Sequence, residues 1–506
     1  MAGRQGRGGR SGRLQQRALG PALNPAPPGG HGGTYRPLAA GDVDRIIAAA
    51  LDLLETLGMG EVPDRLKADL IAAGATEDTA TDRVVFPKSL TRTAIENASK
   101  EFPLYGRDQA RTIDVGGDRV WFGTGGAAVQ ALDLYTGEYR PSTLADLHAF
   151  TRLQDALTNI AWFTRCCIAT DLEDTFTLDL NTAYALIRNT TKPVATAFTE
   201  AAHVAPIVEM LDIAAGGPGA FAARPFLKAH ISPVISPMRY GADAVGVTYA
   251  CLEHNIPVSC ITAAQAGATA PATLAGFLVQ SLAETLASLV MVHAIRPGHP
   301  MVFSNWPLVI DLRTGAFSGG GGETALLNAA SAQVSNALGL PSGVACSMTD
   351  AKAIDAQYGT EKGMTSLAAA LAGGNLIYES SGMTASLLGA SFEAFVLDDE
   401  MHAHTYRVLR GIEVTDKNLD PGPIREAVLG EGHFLGGGQT LAAMERDYYY
   451  PTLADRVEPR SWAAGGARDA WARAKDRVHE ILDTHRPEYL SAAQDAEIRR
   501  KFSQIV

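Results

Sequence analysis

Apolar residues recur at three- and four-residue spacing through the first part of the chain, the repeat of a helix with one buried face. Over residues 42–58 the positions Val43, Ile46, Ile47, Ala50, Leu51, Leu54 and Leu57 follow it, behind Asp42 as a capping residue. A second amphipathic run, 64–73, stops at Gly74; a short strand at 83–87 and a helix near 88–100 come next. These segments predict an N-terminal helical cap over residues 38–115.

Beyond the cap the pattern becomes a regular alternation. Short β-rich runs at 120–123, 160–168, 193–198, 226–232, 257–263, 301–306, 343–348 and 376–379 are separated by helical runs near 143–156, 176–189, 200–214, 240–253, 271–293, 322–338, 361–371 and 391–410. Ser142 and Thr143 before Asp146, Thr199 before Glu200, and Pro271 supply helix starts. Strands that alternate with helices must pair in parallel, because each strand is carried back by its helix. Eight repeats close a barrel, whereas a doubly wound sheet more often stops at five or six. The predicted fold is therefore α/β, a (β/α)8 TIM barrel over 116–411. Residues 412–506 read as a C-terminal helical extension, with helices at 467–483 and 488–503.

The first 37 residues lie outside this pattern. Within residues 1–40 there are six arginines, no acid and much Gly and Pro, which predicts a disordered tail with no secretory h-region. Overall the chain carries 43 Lys+Arg against 55 Asp+Glu, a formal charge of −12. That excludes a general nucleic-acid binder, which needs a basic face. Five cysteines in 506 residues suit free thiols in a reducing, cytoplasmic setting better than a disulfide framework. The longest apolar stretch, 274–295, carries Gln280, Ser281, Glu284 and His293, too polar for a membrane span.

In such barrels the chemistry sits in the loops after the strands. The sixth loop is the longest, holding Trp306, Asp311, Arg313 and then Gly319, Gly320, Gly321 and Gly322. The glycine run suits a phosphate cradle, the close approach of a second large body to the backbone, or a simple loop hinge, and no P-loop Lys-Ser/Thr follows it. Cys260, Cys346 and His230 close or lie in strands and admit a zinc site, although none belongs to a short ligand pair. The run Asp398-Asp399-Glu400-Met401-His402-Ala403-His404 is rich in ligand types, but on a helix His402 and His404 face different ways and the run reads as a solvated face. No G-x-S-x-G marks a hydrolase nucleophile. What the strand ends do offer is aromatic and acidic: Phe122, Phe198, Trp306 and Tyr378, with Glu200, Asp311, Asp350 and Glu379. That combination suits a small organic cation, each ring face contributing about 0.5–2 kcal/mol.

Several strings carry a family resemblance. Gln265-Ala266-Gly267-Ala268-Thr269-Ala270-Pro271, Asp311-Leu312-Arg313-Thr314-Gly315-Ala316, Thr349-Asp350-Ala351-Lys352, Asp355-Ala356-Gln357 and Arg410-Gly411-Ile412-Glu413-Val414 resemble the trimethylamine methyltransferase (MttB) superfamily. The resemblance implies a (β/α)8 barrel and methyl transfer from a methylated amine to the Co(I) of a corrinoid held by a cognate partner protein, with no cofactor tightly bound to this chain. Founding members contain pyrrolysine; this sequence has only the twenty standard letters and looks like the relatives that demethylate quaternary amines such as glycine betaine. A quaternary nitrogen departs as a neutral amine, so the site must chiefly orient the N–CH3 bond and exclude water. No catalytic acid, base or metal is assigned.

On this reading Phe122, Phe198, Glu200, Trp306 and Tyr378 receive the ammonium, Arg313 or His230 meets a substrate carboxylate, and Gly319, Gly320, Gly321, Gly322 and Asp350 face the approaching corrinoid. A homo-oligomer without nucleic-acid or membrane partners is expected. The alternatives are a zinc-dependent methyltransferase on the same barrel and a non-catalytic betaine-binding barrel.

Overall fold

A computed structural model describes residues 24–506. The cap forms from α1 (Ala40–Thr56), α2 (Asp64–Ala72) and α3 (Lys88–Asn97). Val43, Ile46, Ala50, Leu51 and Leu54 make the buried stripe of α1, as their spacing predicts.

The eight expected strands form one parallel sheet: β1 (Trp121–Phe122), β2 (Phe163–Thr164), β3 (Val194–Thr196), β4 (Leu227–Ile231), β5 (Val258–Thr262), β6 (Met301–Asn305), β7 (Ser342–Ala345) and β8 (Leu376–Tyr378). Their spatial order runs β1-β8-β7-β6-β5-β4-β3-β2. The ring closes where Gly123 bridges Trp162 in parallel and the Ala161 amide donates to the Phe122 carbonyl at 2.9 Å. The helices alternating with them are α4 (Leu144–Ala156), α5 (Thr175–Asn189), α6 (Val204–Ala215), α7 (Ala242–Glu253), α8 (Leu274–Ile295), α9 (Gly322–Ala337), α10 (Ala356–Leu371) and α11 (Phe392–Leu409). This is the (β/α)8 barrel that the alternation predicts.

Partners in a parallel ladder share a face, so the register sorts inward from outward residues. Trp162, Lys228, His230, Ser259, Ile261, Ser304, Ala345 and Tyr378 fall on the inner face by the pairings Lys228↔Ala195, His230↔Ser259, Ile261↔Ser304 and Ala345↔Tyr378. The hairpin Glu101–Leu104 with Ile113–Gly116 plugs the N-terminal end, where Phe102, Leu104, Ile113 and Val115 join the interior cluster of Leu376, Val302 and Tyr378. The chemistry is thereby confined to the other end.

Two expectations are corrected by packing. The predicted disordered tail lies partly outside the described residues, but its part at 24–37 is docked: Ala26 is buried, the Gly32 amide donates to Asp118 and the Tyr35 amide to Leu371. The acidic run on α11 is a clamp, not a solvated face. Asp398 is buried beside Lys362, Asp399 accepts from the Asn159 amide at 2.7 Å, and Glu400 accepts from the Thr452, Leu453 and Ala454 amides at 2.6–2.8 Å. His402 in the same run is fully buried, its Nε2 2.9 Å from Ser381 Oγ. The single described helix long and apolar enough to cross a membrane, α8, packs against α1, α3 and the barrel strands, with 78% of its apolar window buried.

The C-terminal extension is of two kinds. The helices Ala470–Thr484 and Ala492–Lys501 pack back on the barrel helices. Residues 411–447 leave and return at one place, where Arg407 donates to the carbonyls of Asp447 and Gly411. The short helices between, Asp416–Leu419, Gly422–Leu429 and Gly438–Arg446, bury no residue.

Candidate active site

The barrel interior narrows upward onto Tyr378. Its ring stands 4.5 Å from Trp162, 4.9 Å from Trp306 and 5.0 Å from His230. These side chains come from β8, the strand-two side, the residue after β6, and β4. The inward period of each strand aims them at a common centre.

Beneath the rings lies Lys228. Its Nζ donates to Tyr378 Oη at 2.8 Å and to Ser259 Oγ at 3.1 Å, and no carboxylate accompanies it. Burial lowers its pKa far below the ordinary lysine value. Burial, helped by Lys228 and Arg165, likewise depresses His230. Desolvation of a cation in a low-dielectric interior is the common cause. Both groups are shifted toward their neutral forms, which lessens the repulsion of a cation at the floor of the site.

Several polar atoms here lack partners. The indole Nε1 atoms of Trp162 and Trp306, the Nε2 of His230 and both carboxylate oxygens of Glu379 are buried without a hydrogen bond. An unpaired buried polar group costs about 1–3 kcal/mol, and such groups cluster where a ligand completes them. Glu379 follows Tyr378 at the end of β8 with φ 60°. Its carboxylate rests on the turn after β1, where a Cβ at Gly125 would lie 2.6 Å from Oε1. Burial raises its pKa to about 8 against the opposing pull of the nearby Gly126 amide and Lys362. Arg165, one residue past β2, is half-buried and makes no ion pair among the described residues, while its charge acts on both His230 and Asp179.

The expected site residues divide sharply. His230, Trp306 and Tyr378 come together. Phe122 does not: it pairs with Ile377 on the outer face of the barrel and stacks on His402 at 4.0 Å. Phe198 is packed in the shell between strands and helices. Glu200 is 60% exposed at the rim, beside Thr175 Oγ1 at 3.1 Å. Arg313 is 88% exposed and paired at 2.8 Å with Asp311 of its own loop, so it does not enter the mouth. The Gly319 and Gly320 amides donate to the Asp350 carboxylate at 2.8 and 3.4 Å, and Asp350 also accepts from Ser386. A side chain at Gly320 would strike Glu361 of α10, so that run is tied down against loop seven, which Ser386 joins to loop eight, and is not an open phosphate cradle. Gly321 and Gly322 open α9 behind it.

The zinc donor set does not assemble. Cys260 pairs with Ile231 on the outer face while His230 points inward, and burial pushes the Cys260 thiol up to about 12. The Cys346 thiol donates to the Thr365 carbonyl at 2.9 Å and is also pushed up to about 12. Sequence reading placed Glu379 among the acids of the mouth but gave it no role, and it passed over Arg165, Trp162 and Lys228, which sit inside runs that read simply as strand.

A closed barrel with buried, unpartnered polar groups at the C-terminal end of its strands is the architecture of a barrel enzyme acting on a small molecule. The chain belongs to the trimethylamine methyltransferase (MTTB) family, whose model matches residues 6–504. It is 30% identical over 454 residues to the trimethylamine methyltransferase MttB of Desulfitobacterium hafniense, covering 90% of each chain. It is 29% identical to a glycine betaine methyltransferase of Desulfitobacterium hafniense, over 83% of this chain and 87% of that one. A trimethylamine methyltransferase MttB of Methanosarcina barkeri is 30% identical over 86% of this chain and 87% of its own length. The protein is thus a methyltransferase, and the non-catalytic alternative gives way to an enzyme.

Proposed function

We propose that this methyltransferase moves a methyl group from a betaine-type quaternary amine to the Co(I) of a corrinoid carried by a cognate protein. The relatives named for trimethylamine and for glycine betaine are almost equally similar, at 30% and 29% identity, so the site itself must choose. The observation that carries the choice is the pair of buried indole N–H groups, Trp162 and Trp306, left without acceptors on either side of Tyr378. An indole N–H only donates. A donor that brings a carboxylate satisfies them; trimethylamine brings none.

The division of labour follows from the geometry. The faces of Tyr378 and Trp306 receive the methylated nitrogen, which makes no hydrogen bonds and suits aromatic surface. Arg165 and His230 replace Arg313 as the groups for the carboxylate. The corrinoid, as methyl acceptor, supplies the nucleophile. This chain orients the N–CH3 bond and excludes water, and the amine leaves uncharged. The rim above the mouth is apolar, with Val129, Leu312 and Leu388 each 47–66% exposed, which fits the approach of a large flat macrocycle. Incubation with glycine betaine and cob(I)alamin tests the reading: the expected products are dimethylglycine by mass and the optical change of the methylated corrinoid. Intact betaine with unaltered cob(I)alamin contradicts it.

The same reading includes self-assembly through residues 411–447. Ile412, Val428, Leu429 and Leu435 are 67–90% exposed there, on or between helices of 4 to 9 residues, too short to persist alone. The segment is rooted at the end of α11 with the N-terminal residues, away from the mouth where the corrinoid protein must dock, since Arg410 reaches the Pro25 carbonyl. A second copy of this chain is therefore the occupant proposed for it.

A further inference from the structure

Among the described residues, Glu379 is a buried group that the betaine reading above leaves without a role. It is fully buried, neither oxygen makes a well-formed hydrogen bond, the Gly126 amide only lying close by, and its backbone sits in the left-handed region at φ 60° although it is not glycine. Carboxylates left so are rare, because desolvation without a partner is costly. The two glycines opposite, Gly125 and Gly126, leave the room: a Cβ on either would lie within 2.8 Å of the carboxylate.

We propose that Glu379 is the counter-charge of the bound ammonium and exchanges one proton with solvent in each catalytic cycle. This rests on the betaine reading above and specifies how the site handles its charge. In the free enzyme Glu379 is a neutral acid. When the quaternary cation enters, the ionised carboxylate gains a partner, and Glu379 gives its proton to solvent. In the transfer the N–CH3 bond breaks, its electron pair stays on nitrogen, and the methyl group goes to the Co(I) nucleophile. The product amine is neutral, so the carboxylate loses its partner and takes a proton back from solvent as the amine leaves. Protons and charge balance over the cycle.

The neighbouring charges permit this. Lys362 of α10 is the cation acting on Glu379, and it is already committed to Asp398 of α11 at 2.9 Å. Asp398 also accepts from Tyr358 Oη and from the Gly382 amide. His402 of α11 is engaged with Ser381, and burial shifts His230 and Lys228 of β4 toward their neutral forms. Arg165 past β2, on which Asp179 acts, makes no ion pair among the described residues and serves the carboxylate end of the substrate. Burial without a matched partner accounts for the raised pKa of Glu379, about 8.

The test is calorimetric titration of glycine betaine into the full chain at pH 7 in phosphate and in Tris, whose ionisation enthalpies differ. About one proton is expected to leave per betaine bound, with affinity rising roughly tenfold per pH unit between pH 6 and 8. In Glu379→Gln both the release and the pH slope are expected to vanish. Betaine binding without proton release, or equal release in Glu379→Gln, overturns the inference alone. If the variant fails to fold, the wild-type proton count decides the matter. No betaine binding to the wild type removes the substrate reading, and this inference falls with it.

Discussion

Trp306 and Tyr378 meet inside the barrel mouth with ring centroids 4.9 Å apart, tilted at 51°. They come from opposite ends of a long sequence interval, one opening the longest loop and one ending the last strand. The pair makes a corner of aromatic surface whose indole N–H has no acceptor. Trp306→Ala is expected to weaken glycine betaine binding by about 1–2 kcal/mol with the fold retained. Calorimetry beside a melting curve checks this; unchanged affinity with a lowered melting temperature makes Trp306 a packing residue.

Burial of Glu379 predicts a pH-dependent stability. Its pKa is about 8 in the folded chain against an ordinary 4.5. Between those values the unfolded chain has lost the proton that the folded chain keeps, so the folded state loses stability as pH rises, on the order of 1.4 kcal/mol per pH unit for this group. Glu379→Gln removes the effect. The variant and wild type should melt alike at pH 5, and the variant should be the more stable at pH 8. A melting-temperature difference constant across that range contradicts the assignment.

Lys362 and Asp398 form an ion pair at 2.9 Å with both side chains fully buried. Removing one partner strands the other. Lys362→Met is expected to cost about 3–5 kcal/mol in denaturant unfolding, and the double change Lys362→Met with Asp398→Leu to recover most of it. Additive losses in the two single variants and the double variant contradict the coupling.

The barrel was legible because its signals are local and repeated: strand runs and helix periods each recur eight times, and every one of the eight strands lies where its run predicts. Inward and outward faces were not legible. Phe122 and Tyr378 both end apolar strands, and only the pairing Ile377↔Phe122 against Ala345↔Tyr378 puts one outside and the other inside. Arg313 was misplaced because its partner Asp311 lies two residues away and holds it in its own loop. The acidic run of α11 looked solvated because its partners Asn159 and Thr452 are distant in sequence. Lys228 inside a strand carried no signal of its lowered pKa, which depends on desolvation by residues distant in sequence.

Asp350 ties the loop after β6 to the loop after β8 through the Gly319 amide and Ser386, each at 2.8 Å. We expect Asp350→Ala to leave betaine affinity unchanged and to slow transfer to the corrinoid protein about tenfold, since it loosens the rim without touching the ammonium site. Betaine affinity falling in step with turnover places Asp350 in the substrate site instead.

The exposed excursion at 411–447 predicts assembly. Light scattering on the full chain should give a multiple of 53.4 kDa, and replacing 412–446 by a short Gly-Ser linker should give the single-chain mass. A monomeric full-length chain contradicts the proposed interface.

The central claim is that the donor is a carboxylated quaternary ammonium. Its most direct test is a side-by-side assay of glycine betaine, carnitine, proline betaine, choline, tetramethylammonium and trimethylamine with cob(I)alamin at neutral pH. The carboxylated quaternary donors are expected to react, glycine betaine-like compounds ahead of tetramethylammonium, because their carboxylate meets the Trp162 and Trp306 N–H groups. Trimethylamine is expected to fail: it brings no carboxylate to the buried indole N–H groups, and unprotonated it has no leaving group the site can stabilise. Trimethylamine turning over as fast as the best quaternary donor contradicts the account.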